Sequence, residues 1–320
     1  MKSLFFSLAI VAVSSVAQAA PPAFTDYVLN LKKEALAQGI SKVTVDSAFA
    51  DVRFIEHAVK LDKNQPEFKL TLDTYLPKAV PEWKVKMARR QYQENYSLLK
   101  RIGREYGVEP QFIVALWGIE TGFGKYTGNY SLISSLSTLA YDGRREAFFK
   151  KELFAALRII DEGHATPQTL KGSWAGAMGQ VQFMPSSFLN FAVDYDGDGR
   201  KDLWHTRADV FASAANYLQQ HGWHHNGGWS SRVRVPSAFD ESLIGVEVKK
   251  PVADWYRLGV RSLDGSALPS RAGEVSVVMP DDKHGRAYLA YNNYMVLRSW
   301  NRSNYFVISV GYLADRIVGG

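Results

Sequence analysis

The chain has 320 residues, 46% hydrophobic and 22% charged, with no cysteine and a formal net charge of +6. That length supports two or three lobes around sizeable cores, and the composition excludes a disordered or low-complexity protein. Without cysteine there are no disulfide staples and no attachment point for a lipid anchor. The basic residues are dispersed, which suits either plain solubility or a polyanionic surface such as a cell wall better than nucleic acid.

The chain opens like an export signal. Met1 and Lys2 form a short basic start, residues 4–16 an apolar run, and Ala17, Gln18 and Ala19 a small-x-small cleavage pattern. Residues 1–19 are therefore expected to be removed, leaving a mature chain of net charge about +5. The apolar run is short for a membrane span and no later segment matches it, so no transmembrane anchor is expected.

Residues 24–38 and 41–49 read as helices, the first ended by Gly39. Residues 60–76 look irregular and carry Gln65, Pro66, Glu67 and Phe68, then Tyr75. Residues 83–106 predict one long amphipathic helix with Val85, Ala88, Tyr92, Tyr96, Leu99 and Ile102 on its apolar side. The stretch 107–110 breaks it, and Pro110 suits the first turn of the next helix.

In that helix Phe112, Ile113, Leu116 and Ile119 recur at helical spacing and predict a core-facing side. Glu120 falls beside this face, where Gly122 and Gly124 end the helix near its negative dipole end. Desolvation and the dipole both favour the neutral acid, and a carboxyl held neutral near pH 7 can donate a proton to a leaving group. The alternative is a solvated glutamate capping a helix end.

Residues 131–140 are small and apolar. After the turn at Asp142, residues 145–161 predict a helix with Phe148, Phe149, Leu153, Leu157 and Ile160 inward. Arg144 and Arg145 at its mouth suit either substrate carboxylates or surface salt bridges. The stretch GSWAGAMGQVQFMPSS at 172–187 places three glycines and two alanines within eight residues, which lets a backbone approach something closely. Gln180, Gln182, Ser173 and Ser186 are neutral hydrogen bonders suited to sugar hydroxyls, and Met178, Phe183 and Met184 suit apolar walls. The alternative is tight helix–helix packing.

The run DYDGDGRKD at 194–202 fits the first nine positions of an EF-hand loop. Its twelfth position is His205 rather than an acid, and the next acid is Asp209. Residues 209–220 then predict a helix. From 227 the texture changes, and 229–235, 243–248 and 274–279 read as strands. Helical patterning returns at Tyr291 and again over 306–318.

Taken together, ALWGIETGFG at 115–124, the 172–187 stretch, AANYL at 214–218, Tyr291-Asn292 and WNRS at 300–303 resemble the B-type lytic murein transglycosylases, in the same order across nearly the whole mature chain. The resemblance implies a mainly α, α+β fold: an additional helical domain over 20–106, a lysozyme-like core over 107–227 with its EF-hand-like loop, a small β-rich domain over 228–290, and a helical segment over 291–320 that completes the first domain. It implies a periplasmic enzyme, free of membrane anchors, that acts on peptidoglycan glycan strands, alongside other cell-wall enzymes, and needs no catalytic cofactor. By matching positions, Glu120 is the catalytic residue. Ser173, Gln182, Tyr217, Asn301 and Tyr305 bind substrate, Arg144 and Arg145 match a pair able to meet stem-peptide carboxylates, and Tyr75 either lines the groove or only packs. Asp194, Asp196, Asp198, the Arg200 carbonyl and Asp209 would hold a structural Ca2+.

The chemistry can also be read from the residues. Ordinary glycosidases flank the scissile bond with two carboxylates, whereas here one placed carboxyl has no evident partner. A lone glutamate suffices if it protonates the glycosidic oxygen and then deprotonates the substrate's own C6 hydroxyl, giving a 1,6-anhydro sugar. A hydrolytic muramidase and a catalytically silent wall-binding protein are the alternatives.

Overall fold

A computed structural model describes residues 23–64, 70–269 and 273–319. The expected export signal and the segment Gln65, Pro66, Glu67 and Phe68 lie outside these residues. Two short helices, α1 (Phe24–Ala37) and α2 (Lys42–Ala48), open the described chain. Ser41 caps α2 by accepting the Thr44 N–H. The stretch expected to be irregular, 60–76, overlaps the end of α3 (Glu56–Lys63) and the start of α4 (Leu72–Ala79), each burying two or three side chains that a short, interrupted pattern conceals.

The long helix expected over 83–106 is two, α5 (Glu82–Glu94) and α6 (Tyr96–Tyr106). Asn95 separates them at φ −108° and ψ 10°, and its side-chain amide donates to the Gln91 carbonyl at 2.8 Å. Asparagine competes in this way for the helical ladder, so the chain bends there. Gly107, left-handed at φ 66°, then ends α6.

The middle of the chain holds α7 (Pro110–Thr121), a short strand β1 (Tyr130–Ser131), the hairpin pair α8 (Leu132–Tyr141) and α9 (Glu146–Asp161), strand β2 (Lys171–Gly172), α10 (Pro185–Phe191) and α11 (Arg207–Gln220). Strands β1 and β2 pair antiparallel. A five-stranded antiparallel sheet of order β4-β6-β7-β3-β5 follows, from β3 (Ser230–Arg234), β4 (Lys250–Pro251), β5 (Arg261–Ser262), β6 (Glu274–Val278) and β7 (Ala287–Ala290). Helix α12 (Val252–Arg257) lies between β4 and β5. The expected strand over 243–248 is instead a turn, reversed at Gly245 with φ 133° and tied by one N–H to the Val277 carbonyl. Helices α13 (Asn292–Trp300) and α14 (Asn304–Val318) follow the sheet.

One contiguous apolar core runs from Leu31 to Ile317 and joins the helices on both sides of the sheet region. The sheet has its own smaller core around Trp255, Val277 and Leu289. Trp229, at the edge of the sheet region, belongs to the larger core. Its ring lies on Gly311 of α14, where an added Cβ would sit 2.2 Å from the indole, and its N–H donates to Asp315 at 3.1 Å. Among the described residues no helix is long and apolar enough to cross a membrane.

Candidate active site

Helix α7 is enclosed by α5, α6, α11 and α14. Every residue from Phe112 to Gly118 is buried, so the expectation of a single core-facing side is too narrow. A helix apolar all round belongs at the centre of a core, not on its surface. The helix stops at Gly122, left-handed at φ 58°. Phe123 and Gly124 follow with φ 64° and 81°. Glu120 thus stands in the last turn, half-buried, where the central helix reaches the surface of the core.

Burial lifts the Glu120 carboxyl from its usual 4.5 to about 7, while a hydrogen bond from Trp300 works in the opposite direction. The indole N–H donates to Oε1 at 2.7 Å. Among the described residues no charged side chain contributes to the shift. Glu120 is therefore a neutral acid through most of the range in which a proton donor is useful, and close enough to neutrality to act as a base once deprotonated.

The second motif packs directly beneath this helix end. Thr121 donates to the Gln180 carbonyl at 2.6 Å, and Trp117 donates to the Gln180 side-chain oxygen at 2.8 Å. The Gln180 amide in turn donates to the Trp204 carbonyl at 2.7 Å. Gln180 is a buried cross-link, not a sugar ligand as its residue type suggested. Gly124 is required by it, since a Cβ there would lie 2.3 Å from Gln180 Oε1. Ser186 is likewise committed: its hydroxyl and its N–H donate at 2.7 and 2.9 Å to the buried Glu152.

Residues 172–184 form tight turns rather than a helix, with bridges from Met178 to Gly172 and to Phe183. Helix–helix packing therefore does not explain its small residues. Ser173 accepts from the Ala177 N–H at 3.0 Å. Gln182 sits at φ 51°, and its amide donates to the Gly179 and Thr127 carbonyls at 3.0 and 3.2 Å. Of the three non-glycine residues with positive φ among the described residues, Phe123 and Gln182 fall in these two motifs. Strain of this kind survives where surrounding structure over-determines it, often at functional sites.

Gly128 closes the motif from the other side at φ 88°, with an added Cβ only 2.2 Å from the Gly172 carbonyl oxygen and 2.6 Å from Ser173 N. Backbone on both sides leaves nothing to yield. Gly128→Ala is expected to destabilise the protein by about 3 kcal/mol or more, read as a lower midpoint in urea unfolding; an unchanged midpoint would mean that the β1–β2 pair relaxes freely.

Trp300, from the WNRS stretch, was given no role by its residue type, yet it makes the direct contact with Glu120. Its ring packs on Phe183 and Tyr217 at centroid distances of 5.2 and 4.8 Å. Tyr217 is buried, which pushes its hydroxyl up to about 12, and it donates to the Ser299 carbonyl at 2.7 Å. Tyr217 thus supports Trp300 from behind. Asn301 is exposed immediately beyond, its side-chain oxygen accepting the Ser303 N–H at 3.0 Å.

A family model described as a transglycosylase SLT domain matches residues 23–315. The chain belongs to this family. It is 43% identical over 126 residues to membrane-bound lytic murein transglycosylase B of Escherichia coli (strain K12), a match covering 39% of this chain and 35% of that protein, so about a third of the relative's length. Its fold superposes with a TM-score of 0.89 on SltB3 from Pseudomonas aeruginosa, solved in complex with NAG-anhNAM-pentapeptide, at 38% identity over 93% of this chain and 80% of that one. Against the Escherichia coli lytic transglycosylase SLT35 in complex with calcium, the TM-score is 0.79 at 25% identity, covering 91% of this chain and 92% of that one.

Other residues singled out in this SLT-domain chain lie in structural joints. Tyr305 is within hydrogen-bond reach of the Leu70 carbonyl at 2.8 Å and of Asp281, and burial beside Asp281 pushes its hydroxyl up to about 12. Tyr75 packs edge-on against its ring at 5.1 Å, so the pair seals α4 against α14. Arg144 and Arg145 both clamp Asp62, whose carboxylate is buried and held below its usual range by the two guanidiniums. Their forks bind the protein's own acid, as the salt-bridge alternative has it, while both arginine side chains stay partly exposed.

The acidic loop brings Asp194, Asp196 and Asp209 together, with one oxygen of each within 4.8 Å of the others. Asp209, buried at the start of α11, accepts the N–H groups of Tyr195 and Asp202 at 2.8 Å each and so ties the lengthened loop shut. Burial first, then the charges of Asp196 and Asp194, raise its pKa above the usual carboxylate range. Asp198 is not in this cluster; its carboxylate accepts the Arg200 N–H at 2.8 Å. Asp202 turns to its own chain, accepting from Trp204 and His205.

Proposed function

We propose that this chain is a lytic transglycosylase that cleaves the MurNAc-β-1,4-GlcNAc bond of peptidoglycan without water. The observation that carries it is Glu120 at the end of α7, half-buried and lifted to about 7, with no second carboxylate acting on it among the described residues. Glu120 in its neutral form protonates the glycosidic oxygen as the C1–O bond breaks. The resulting carboxylate then accepts the proton of the C6 hydroxyl as O6 closes on C1, leaving a 1,6-anhydro end and regenerating the acid. A hydrolase of the same bond would instead need a second carboxylate to serve as nucleophile or to activate water. The anhydro sugar named in the SltB3 complex supports the same outcome.

Product analysis decides it. Mass spectrometry of a sacculus digest is expected to show muropeptides lighter by one water than reducing-end products; reducing ends alone would establish a muramidase, and an undigested sacculus a silent binding protein.

The same reading places the mature chain in the periplasm after loss of residues 1–19. It also assigns the acidic loop to Ca2+. Hard cations accept six to eight oxygens at about 2.3–2.6 Å, so three carboxylate oxygens within 4.8 Å of each other fit one ion. Asp194, Asp196 and Asp209 would hold it, its charge offsetting the burial and mutual repulsion that raise Asp209. The calcium complex of SLT35 points the same way. The ion would fasten the loop to the start of α11 and has no part in proton transfer.

A further inference from the structure

We propose that Trp300 is a positioning residue for the catalytic acid: by occupying Oε1 of Glu120 with its indole N–H, it assigns the transferable proton to Oε2 and makes that oxygen the one that both gives and takes the proton. This rests on the reading of Glu120 as a sole acid and base, and adds which of its oxygens reacts and what selects it.

The geometry carries the assignment. An indole N–H can only donate, so the oxygen it meets at 2.7 Å must act as an acceptor in every protonation state. Oε1 therefore stays the carbonyl-like oxygen of the acid, and the hydroxyl is Oε2. The indole has little freedom to swing away. It is wedged against Phe183 and Tyr217, and Tyr217 is anchored to the carbonyl of Ser299, the residue before Trp300. During catalysis the Oε2–H bond breaks as the leaving sugar oxygen gains the proton. The negative charge left on the carboxylate is met by the Trp300 donor. In the second half Oε2 recovers a proton from the C6 hydroxyl as the O6–C1 bond forms.

Because the donor favours the carboxylate, it opposes the effect of burial. Several ionisable groups on the elements packed around α7 are engaged elsewhere. On α5, Arg89 donates to the Arg316 carbonyl; on α6, Glu105 accepts from Tyr195. On α11, Arg207 lies over the Trp117 ring and near Asn95; on α14, Arg316 pairs with Glu82. On α13 itself, Arg298 donates to the Arg302 carbonyl and to Asn304. Removal of the indole N–H is therefore expected to act on Glu120 without a compensating charge.

The test replaces Trp300 by Phe, and separately by benzothienylalanine, which keeps the bicyclic shape and lacks only the N–H. The Glu120 carboxyl carbon is titrated by NMR, its signal assigned by loss in Glu120→Gln. A charge-assisted hydrogen bond of ordinary strength predicts an upward shift of about one pH unit in both variants. The alkaline limb of kcat/KM on sacculi should move up with it, and kcat should fall. If Trp300→Phe does not fold, the isostere gives the same reading. An unmoved titration in the isostere overturns the proposal even where the wild type lyses sacculi. A moved titration in a protein that forms no anhydro ends supports the hydrogen-bond role and overturns the assigned reaction instead.

Discussion

Glu120→Gln is expected to lose formation of anhydro-muropeptides by at least about 10²–10⁴-fold, the usual contribution of a general acid–base, with binding to sacculi retained. The loss falls on both halves of the reaction, because one side chain serves both and an amide serves neither. The same substitution is expected to stabilise the folded protein above neutrality. The folded carboxyl titrates near 7 against 4.5 when exposed, so folding favours the protonated form. That stabilisation is complete below about 4.5 and disappears as the pH rises through 7. At pH 8 the wild type bears the full penalty of a half-buried carboxylate, up to about 3 kcal/mol, and glutamine removes it. Thermal unfolding of both proteins at pH 4 and pH 8 checks this: the curves should converge at the lower pH and separate at the higher. Equal anhydro yields from the two proteins would remove Glu120 from the chemistry altogether.

The second large effect concerns the acidic loop. Calcium at one hundred times its dissociation constant should stabilise the fold by about 2.7 kcal/mol, and a chelator should reverse this. Asp196→Asn is the informative variant. Asp196 is exposed and accepts one long backbone bond, from Asp198 at 3.3 Å, so its amide analogue costs the fold little while removing a charged ligand. The calcium-dependent rise in unfolding temperature should shrink markedly in this variant. Asp209→Asn is a poorer probe, because its carboxylate also holds two backbone N–H groups. A wild type whose unfolding temperature ignores millimolar calcium, or an Asp196→Asn protein that responds as the wild type does, would dismiss the cation.

Much of this site is legible in the residues because local spacing carries it. The position of Glu120 beside Leu116 and before two glycines already implies a desolvated acid at a helix end, and the structure gives that cause. Three features are not legible, for different reasons. Periodicity detects an apolar stripe but cannot by itself say that a second layer covers the remaining face of α7. Gln180 and Ser186 carry the same donors and acceptors whether they bind a sugar or cross-link the core, and only their partners, Trp117 and Glu152, decide between the two. Trp300 stands 180 positions beyond Glu120, a separation at which no local pattern operates. The failure at 243–248 is of another kind, since an apolar run of strand length is turned aside at Gly245. Asn95 shows the reverse case, a polar residue on an amphipathic stretch that stops the helix by bonding its own backbone.

The packing of α14 against α7 has a consequence for how the enzyme is made. Long-range pairings form late, after the intervening chain has been ordered or looped out. Until α14 is present, the flank of α7 that it covers stays open to water and Trp229 has no Gly311 to rest on. On the proposed function, a chain that lacks α14 is expected to hold Glu120 in a more solvated, more ordinary state. Lytic competence is then expected only once the C-terminal helix has closed over α7.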